Sequence, residues 1–331
     1  MLSIRMMGSG RALPALKVDT DAIEGEFGVS REVLQKGSKV DERYFCTNEN
    51  QIDLARDACL KALEAAQKDP QDVDLIISGC GVPYQPIPST APLIMRVLGI
   101  DDGMATAFDV NSTCLSFVTA LESAARILSM DEHRCALVVS SEVASRALPW
   151  KADPATALLF GDGAGAVVLE PTPSNKKSVL LATHMRCFPS AYSASQIGAG
   201  GTRFDYRAER DAFDGHTVFE MNGRELFRIT VQHFSSFLDD LLSKAGWTRE
   251  CVDLVVPHQA SPTALEYMIK LSAFDPERVV NIVSKFGNQI AASIPFSLDY
   301  AIEQGRLKRG DKLLLIGTSA GVSIGGAAIE F

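Results

Sequence analysis

Apolar residues recur at i, i+3, i+4 and i+7 over 52–68 and again over 230–245, the spacing of a helix with one buried face. Each segment leads into a short apolar run of strand type. Residues 72–81 read DVDLIISGCG and residues 251–260 read CVDLVVPHQA, so the same helix-then-strand unit is read twice. A second echo pairs ALVVSS (136–141) and FGDGAGAVVL (160–169) with KLLLIG (312–317) and SAGVSIGGAAI (319–329). Continuous Val, Ile and Leu runs closed by Gly-rich turns predict strands buried on both faces, with 160–169 expected to form a hairpin. Strands and helices alternating in a duplicated order predict an α/β chain with helices packed on mixed sheets. The halves fall at 1–170 and 171–331. Residues 171–217 are richer in Ser, Gly, Pro and charge and predict an inserted loop section.

Composition narrows the class. At 331 residues, with 46% hydrophobic and 22% charged residues, the chain predicts a folded globular protein of one large bilobal unit or two fused halves. A net charge of -9 with no Lys/Arg run argues against nucleic acid as a partner. The N-terminal MLSIRMMGSGRALP lacks the pattern of a secretory signal, and the apolar stretch 313–329 is interrupted by Gly, Ser and Thr, so no membrane span is predicted. These features point to a cytoplasmic protein. The seven cysteines are odd in number and show no CxxC spacing, which disfavours a disulfide framework and a zinc site.

One cysteine stands apart. In FDVNSTCLSFVTAL (108–121) a strand-type run turns through Asn111, Ser112 and Thr113 into a helical pattern, which places Cys114 at or just inside a helix N-terminus. The dipole there predicts a thiol pKa lowered from about 8.5 to between roughly 3.5 and 7.5. On this segment alone Cys114 reads equally as a small core residue. His258 follows Pro257 at the tip of a strand, where a side chain is released into a cleft, although a strand-end histidine by itself reads first as structural. Asn288, in KFGNQIAASIP, reads in isolation as a turn or cap.

Cys, His and Asn in that order occur in papain-like proteases, but STCLSF lacks their cysteine signature. The segments AFDVNSTC, FGDGAGAVVL, MNGRELFR, VVPHQAS, FGNQIAASIP and TSAGVSIGGAA, in this order, resemble the β-ketoacyl-acyl-carrier-protein synthase III family of the thiolase superfamily. The resemblance implies the thiolase fold, a duplicated five-layer α-β-α-β-α arrangement, and a homodimer. It implies decarboxylative condensation of an acyl primer, carried on coenzyme A or on a carrier protein, with malonyl-acyl-carrier protein. No metal or redox cofactor is called for. Cys114 would take the acyl group, the backbone N–H groups of Cys114 and Gly321 would form the oxyanion hole, and His258 and Asn288 would hydrogen-bond the enolate. Transfer of the acyl group to an oxygen or nitrogen nucleophile is the alternative.

Further positions follow from the same resemblance. FGDGAG matches neither phosphate-loop pattern, so its role is read as structural, with Phe160 in the acyl pocket. Arg224 and Arg228, four residues apart on one helix face, and Lys270 are candidates for carrier docking. Where the family uses a tryptophan and arginines to sandwich adenine, this chain has Val33, Gly37 and Pro154, and a docking cation is replaced by Thr263. Ile87 stands where relatives insert a residue from the partner subunit. Its modest size predicts a pocket for primers longer than acetyl, with medium-chain thioesters acylating Cys114 faster.

Overall fold

The computed structural model describes residues 1–23, 28–30, 32–33, 38–130, 132–175 and 177–331. The first sheet is built from Ile4–Ala12 (β1), Leu75–Ser78 (β2), Thr106–Asp109 (β3), Ala136–Glu142 (β4) and Gly163–Pro171 (β5), in the order β1-β5-β4-β2-β3. The second contains Val179–Cys187 (β6), Leu254–Pro257 (β7), Lys312–Ser319 (β8) and Ser323–Glu330 (β9), in the order β7-β8-β9-β6. Reversed, that order matches the first sheet strand for strand. β1 and β6 pair antiparallel with β5 and β9; these pair antiparallel with β4 and β8, which run parallel to β2 and β7. The two VDL-led runs, β2 and β7, are thus counterparts. A lone parallel bridge from Val255 to Val279 stands where β3 would lie.

Six helices complete the layers: Gln51–Ala66 (α1), Thr90–Val97 (α2), Ser116–Leu128 (α3), Gly223–Ala245 (α4), Pro262–Ser272 (α5) and Ser293–Glu303 (α6). α1 and α2 cover the outer face of the first sheet, α4 packs on β6 and β9, and α5 lies against α4. Between the sheets lie α3, against β2, β4 and β5, and α6, against β1, β5 and β7. This is the five-layer arrangement. The central helices are small and apolar where they face the sheets: Ala120, Leu121, Ala124 and Ala125 of α3 are fully buried, as are Ile294, Leu298 and Ala301 of α6. Close packing of such residues on two sheets fixes the loops that precede the helices. Cys114 lies just before α3, and Asn288 just before α6.

Two local expectations are corrected. Residues 160–169 do not form a hairpin: β5 is a single strand pairing with β1 and β4, and Phe160 instead makes a parallel bridge to Asn288. The long helix begins at Gly223 rather than near 230, because the Asn222 side chain caps it by accepting from the N–H of Glu225. Among the described residues, no helix is long and apolar enough to cross a membrane.

Candidate active site

Cys114 occupies a single turn of 3₁₀ helix, Thr113–Leu115, ahead of α3. Thr113 has φ 51°, a left-handed conformation that is costly for a β-branched residue. It is held there from both sides: its N–H donates to Asn111 Oδ1 at 2.8 Å, and its hydroxyl reaches the carbonyls of Ser112 and Ala320 at 2.8 and 3.3 Å. The forced turn presents Cys114 to a cavity of about 1090 Å³. The expected low thiol pKa is overturned. Burial, aided by the charge of Glu142, pushes the thiol up to about 12, outweighing hydrogen bonds from the backbone of Ala320 and Cys114 itself. A helix end stabilises a thiolate by about a kcal/mol, too little to offset desolvation of the anion in an apolar site.

His258 leaves the end of β7, just before Ser261 caps α5 by accepting from the N–H of Ala264. Its backbone N–H is bonded to Ile316 O at 2.8 Å, and its Nδ1 lies 2.6 Å from Ser293 Oγ. Burial lowers its pKa to about 4, so the ring is neutral at neutral pH. The close approach of β8 depends on Gly317, where an added Cβ would stand 2.6 Å from that of His258. Asn288 is oriented by its own hydrogen bonds: Oδ1 accepts from the N–H of Ile290 at 2.8 Å, and Nδ2 donates to Ala260 O at 3.1 Å. Its backbone is tied to the other half through Leu159 O and the N–H of Gly161. The second N–H of the amide is uncommitted by these bonds. Cys114, His258 and Asn288 all line the one cavity.

The chain, with its duplicated five-layer frame, is matched by known proteins along its length. Residues 108–188 match the 3-oxoacyl-acyl-carrier-protein (ACP) synthase III family model, and residues 242–331 match the model of its C terminal part. β-Ketoacyl-acyl-carrier-protein synthase III of Neisseria gonorrhoeae is 33% identical, with 99% of each chain covered. The enzyme of the same name from Clostridium perfringens is 30% identical with both chains fully covered. The chain belongs to the 3-oxoacyl-acyl-carrier-protein synthase III family. A crystal structure of the family's member from Aquifex aeolicus VF5 superposes with a TM-score of 0.87 at 31% identity, covering 99% of this chain and 100% of that one. The protein is therefore a condensing enzyme of the synthase III type with the thiolase fold.

Within that family frame, Phe160 and Gly321 line the cavity; Phe160 is buried edge-on to Phe219, with ring centroids 5.2 Å apart. Arg224 lines the cavity and is exposed, as is Thr263, whereas Arg228 and Lys270 are exposed outside it. Ile87 is 86% exposed at the tip of the 81–89 loop and does not line its own chain's cavity. Val33 packs against a cluster containing Val18, Ile23 and Phe45, and Pro154 opens a short helical turn capped by Asp153. Gly37 lies outside the described residues. Among the described residues, no group of His, Cys, Asp and Glu could hold a metal ion.

Two polar residues were not singled out from the sequence. Ser293, in the small-residue run AASIP, contacts His258. Glu142 ends β4 fully buried, accepting the N–H groups of Gly81 and Val82 and, from the turn after Asn288, of Ala291. A carboxylate ending a strand with no exposed position is the signal that could have found it.

Proposed function

We propose that this protein joins an acyl primer to malonyl-acyl-carrier protein by decarboxylative Claisen condensation, with Cys114 holding the acyl group between the two steps. One observation carries the reading: a cysteine, a neutral histidine and an amide with an uncommitted N–H open onto a single large apolar cavity. In the first step the Cys114 sulfur attacks the primer thioester. The tetrahedral oxyanion is held by the N–H groups of Cys114 and Gly321, and the primer's carrier leaves as a thiol that takes up the proton lost from Cys114. In the second step malonyl thioester loses CO₂. Its enolate oxygen accepts hydrogen bonds from His258 and Asn288, its carbon attacks the acyl-cysteine, and the Cys114 thiolate departs and takes up one proton from solvent. Two neutral donors suit this task, since each can stabilise developing negative charge without a proton leaving the protein.

The primer is read as longer than acetyl. The cavity of about 1090 Å³ exceeds the usual upper range for small-molecule sites, and its walls include Leu148, Phe160, Ile197, Phe219 and Met221. A homodimer belongs to the same reading, since exposed Ile87 is free to enter the cavity of a second copy. Arg224 at the cavity, with Arg228 and Lys270 nearby on the surface, would meet the acidic carrier. Release of CO₂ from malonyl-acyl-carrier protein, dependent on prior acylation and coupled to β-ketoacyl product, is the test. Acyl transfer to an alcohol or amine with no CO₂ released would instead establish the transferase alternative.

A further inference from the structure

Glu142 is a buried acid that the two-step chemistry above does not use. Its side chain sits where three segments meet. Oε1 and Oε2 accept the N–H groups of Gly81 and Val82, at 2.5 and 3.3 Å, at the root of the loop that ends in Ile87. It also accepts the N–H of Ala291 in the turn that follows Asn288. The third segment is the nucleophile turn, joined through Gly81. Asn111 Nδ2 donates to Gly81 O at 3.1 Å, and a Cβ added at Gly81 would stand 3.3 Å from Glu142 Oε1, 3.3 Å from the carbonyl carbon of Thr113 and 2.7 Å from Ile290 Cγ2.

The electrostatics act in the same place. Among the described residues, the ionisable groups that interact with the carboxyl include Cys80 on the 81–89 loop side, Cys114 on the nucleophile turn and Asp162 on the segment before β5, and none of these three is a cation. Its charge raises the thiols of both Cys80 and Cys114. Burial pushes Glu142 itself up to about 8, against the pull of its backbone donors. Glu142 is buried behind the cavity wall, next to the lining residues Gly81, Val82 and Val143, so its hydrogen bonds act on the wall itself.

We propose that Glu142 is a positioning residue for the condensation: it ties the 81–89 loop, the nucleophile turn and the Asn288 turn into one unit, and once ionised its charge adds to burial in opposing the Cys114 thiolate. The inference rests on Cys114 being the nucleophile. Reach and charge are separable by substitution. Glu142→Gln keeps the length and removes the charge; Glu142→Asp keeps the charge and shortens the reach.

The test is the pH profile of Cys114 alkylation by iodoacetamide, read by intact-protein mass, in wild type and both variants, with CO₂ release from malonyl-acyl-carrier protein measured alongside. E142Q is expected to alkylate roughly threefold to tenfold faster above pH 8, where the wild-type carboxyl is ionised, its profile moving to lower pH, since a nearby like charge disfavours the thiolate. E142D is expected to keep the wild-type profile, and both variants to lose at least about tenfold in condensation, the loss of an aligned charge-assisted hydrogen bond. An E142Q profile that superposes on wild type, or an E142D profile shifted as far as that of E142Q, overturns the proposal. If E142Q does not fold, E142D decides alone: an unmoved profile with impaired condensation supports it, and a moved profile overturns it. Should wild-type Cys114 take neither alkyl nor acyl group, the nucleophile reading fails first and this inference falls with it.

Discussion

Ser293 Oγ stands 2.6 Å from Nδ1 of His258 and also accepts the N–H of Gln259 at 3.3 Å. When the serine hydroxyl donates to Nδ1, the ring proton sits on Nε2, the nitrogen available to a thioester oxygen. Ser293→Ala removes the bond that selects this tautomer. Malonyl decarboxylation is expected to fall about tenfold, the worth of one such hydrogen bond, while acylation of Cys114 changes little. A fall in acylation as large as that in decarboxylation contradicts this role.

His258 and Asn288 act on the second step in this account. His258→Ala or Asn288→Ala should each lower decarboxylation by about 10²–10³, the usual cost of one oxyanion donor, and leave Cys114 acylated. Single-turnover measurements with radiolabelled malonyl thioester would register the two steps separately.

The buried ring of His258 links stability to pH. Its folded pKa of about 4 lies below the ordinary value of 6.5, so the unfolded chain binds a proton that the folded protein refuses. The stability contributed by the neutral ring is complete above about pH 6.5 and is lost as pH falls from there toward 4. Glu142 works in the opposite direction: with a folded pKa of about 8 against 4.5 unfolded, its contribution is complete below 4.5 and is lost as pH rises toward 8. Denaturant unfolding midpoints of His258→Asn should therefore decline less than those of wild type between pH 6.5 and 4. An identical decline in both proteins removes His258 as a cause.

Gly317 gives β8 its close approach to His258, with room for a hydrogen only: a Cβ there would meet the histidine Cβ at 2.6 Å. Gly317→Ala should cost about 1–3 kcal/mol of stability, as overpacking of a tight core does, and displace the ring. Thermal melting and decarboxylation should fall together; an active, fully stable variant contradicts the packing argument.

Much of the fold is legible in the sequence because apolar periodicity and the VDL echo report local structure, and the duplicated order of the strands follows from them. The hairpin expected at 160–169 fails because Gly163 and Gly165 serve close packing rather than turning: a Cβ at Gly163 would meet the Gln289 side chain at 2.4 Å, and one at Gly165 the N of Phe296 at 2.5 Å. Cys114, His258 and Asn288 are legible as a set because motifs carry them in order. The ionisation of Cys114 is not, since the dipole of α3 can be read locally whereas burial of the thiol and the charge of Glu142 depend on segments distant in the sequence. Glu142 itself is hidden by its position one residue beyond an apolar and small-residue run that already reads as a complete strand.

The central claim is that Cys114 carries the acyl group on its way to a malonyl-derived carbon. Intact-protein mass spectrometry of wild type and Cys114→Ala, incubated with an acyl-CoA series from acetyl to medium-chain and then with malonyl-acyl-carrier protein, tests it most directly. The account predicts a mass increase equal to the acyl group on wild type alone, formed faster with medium-chain thioesters than with acetyl, and discharged by malonyl-acyl-carrier protein with release of CO₂. An adduct that persists in Cys114→Ala, or one on wild type that malonyl-acyl-carrier protein does not discharge, would contradict it.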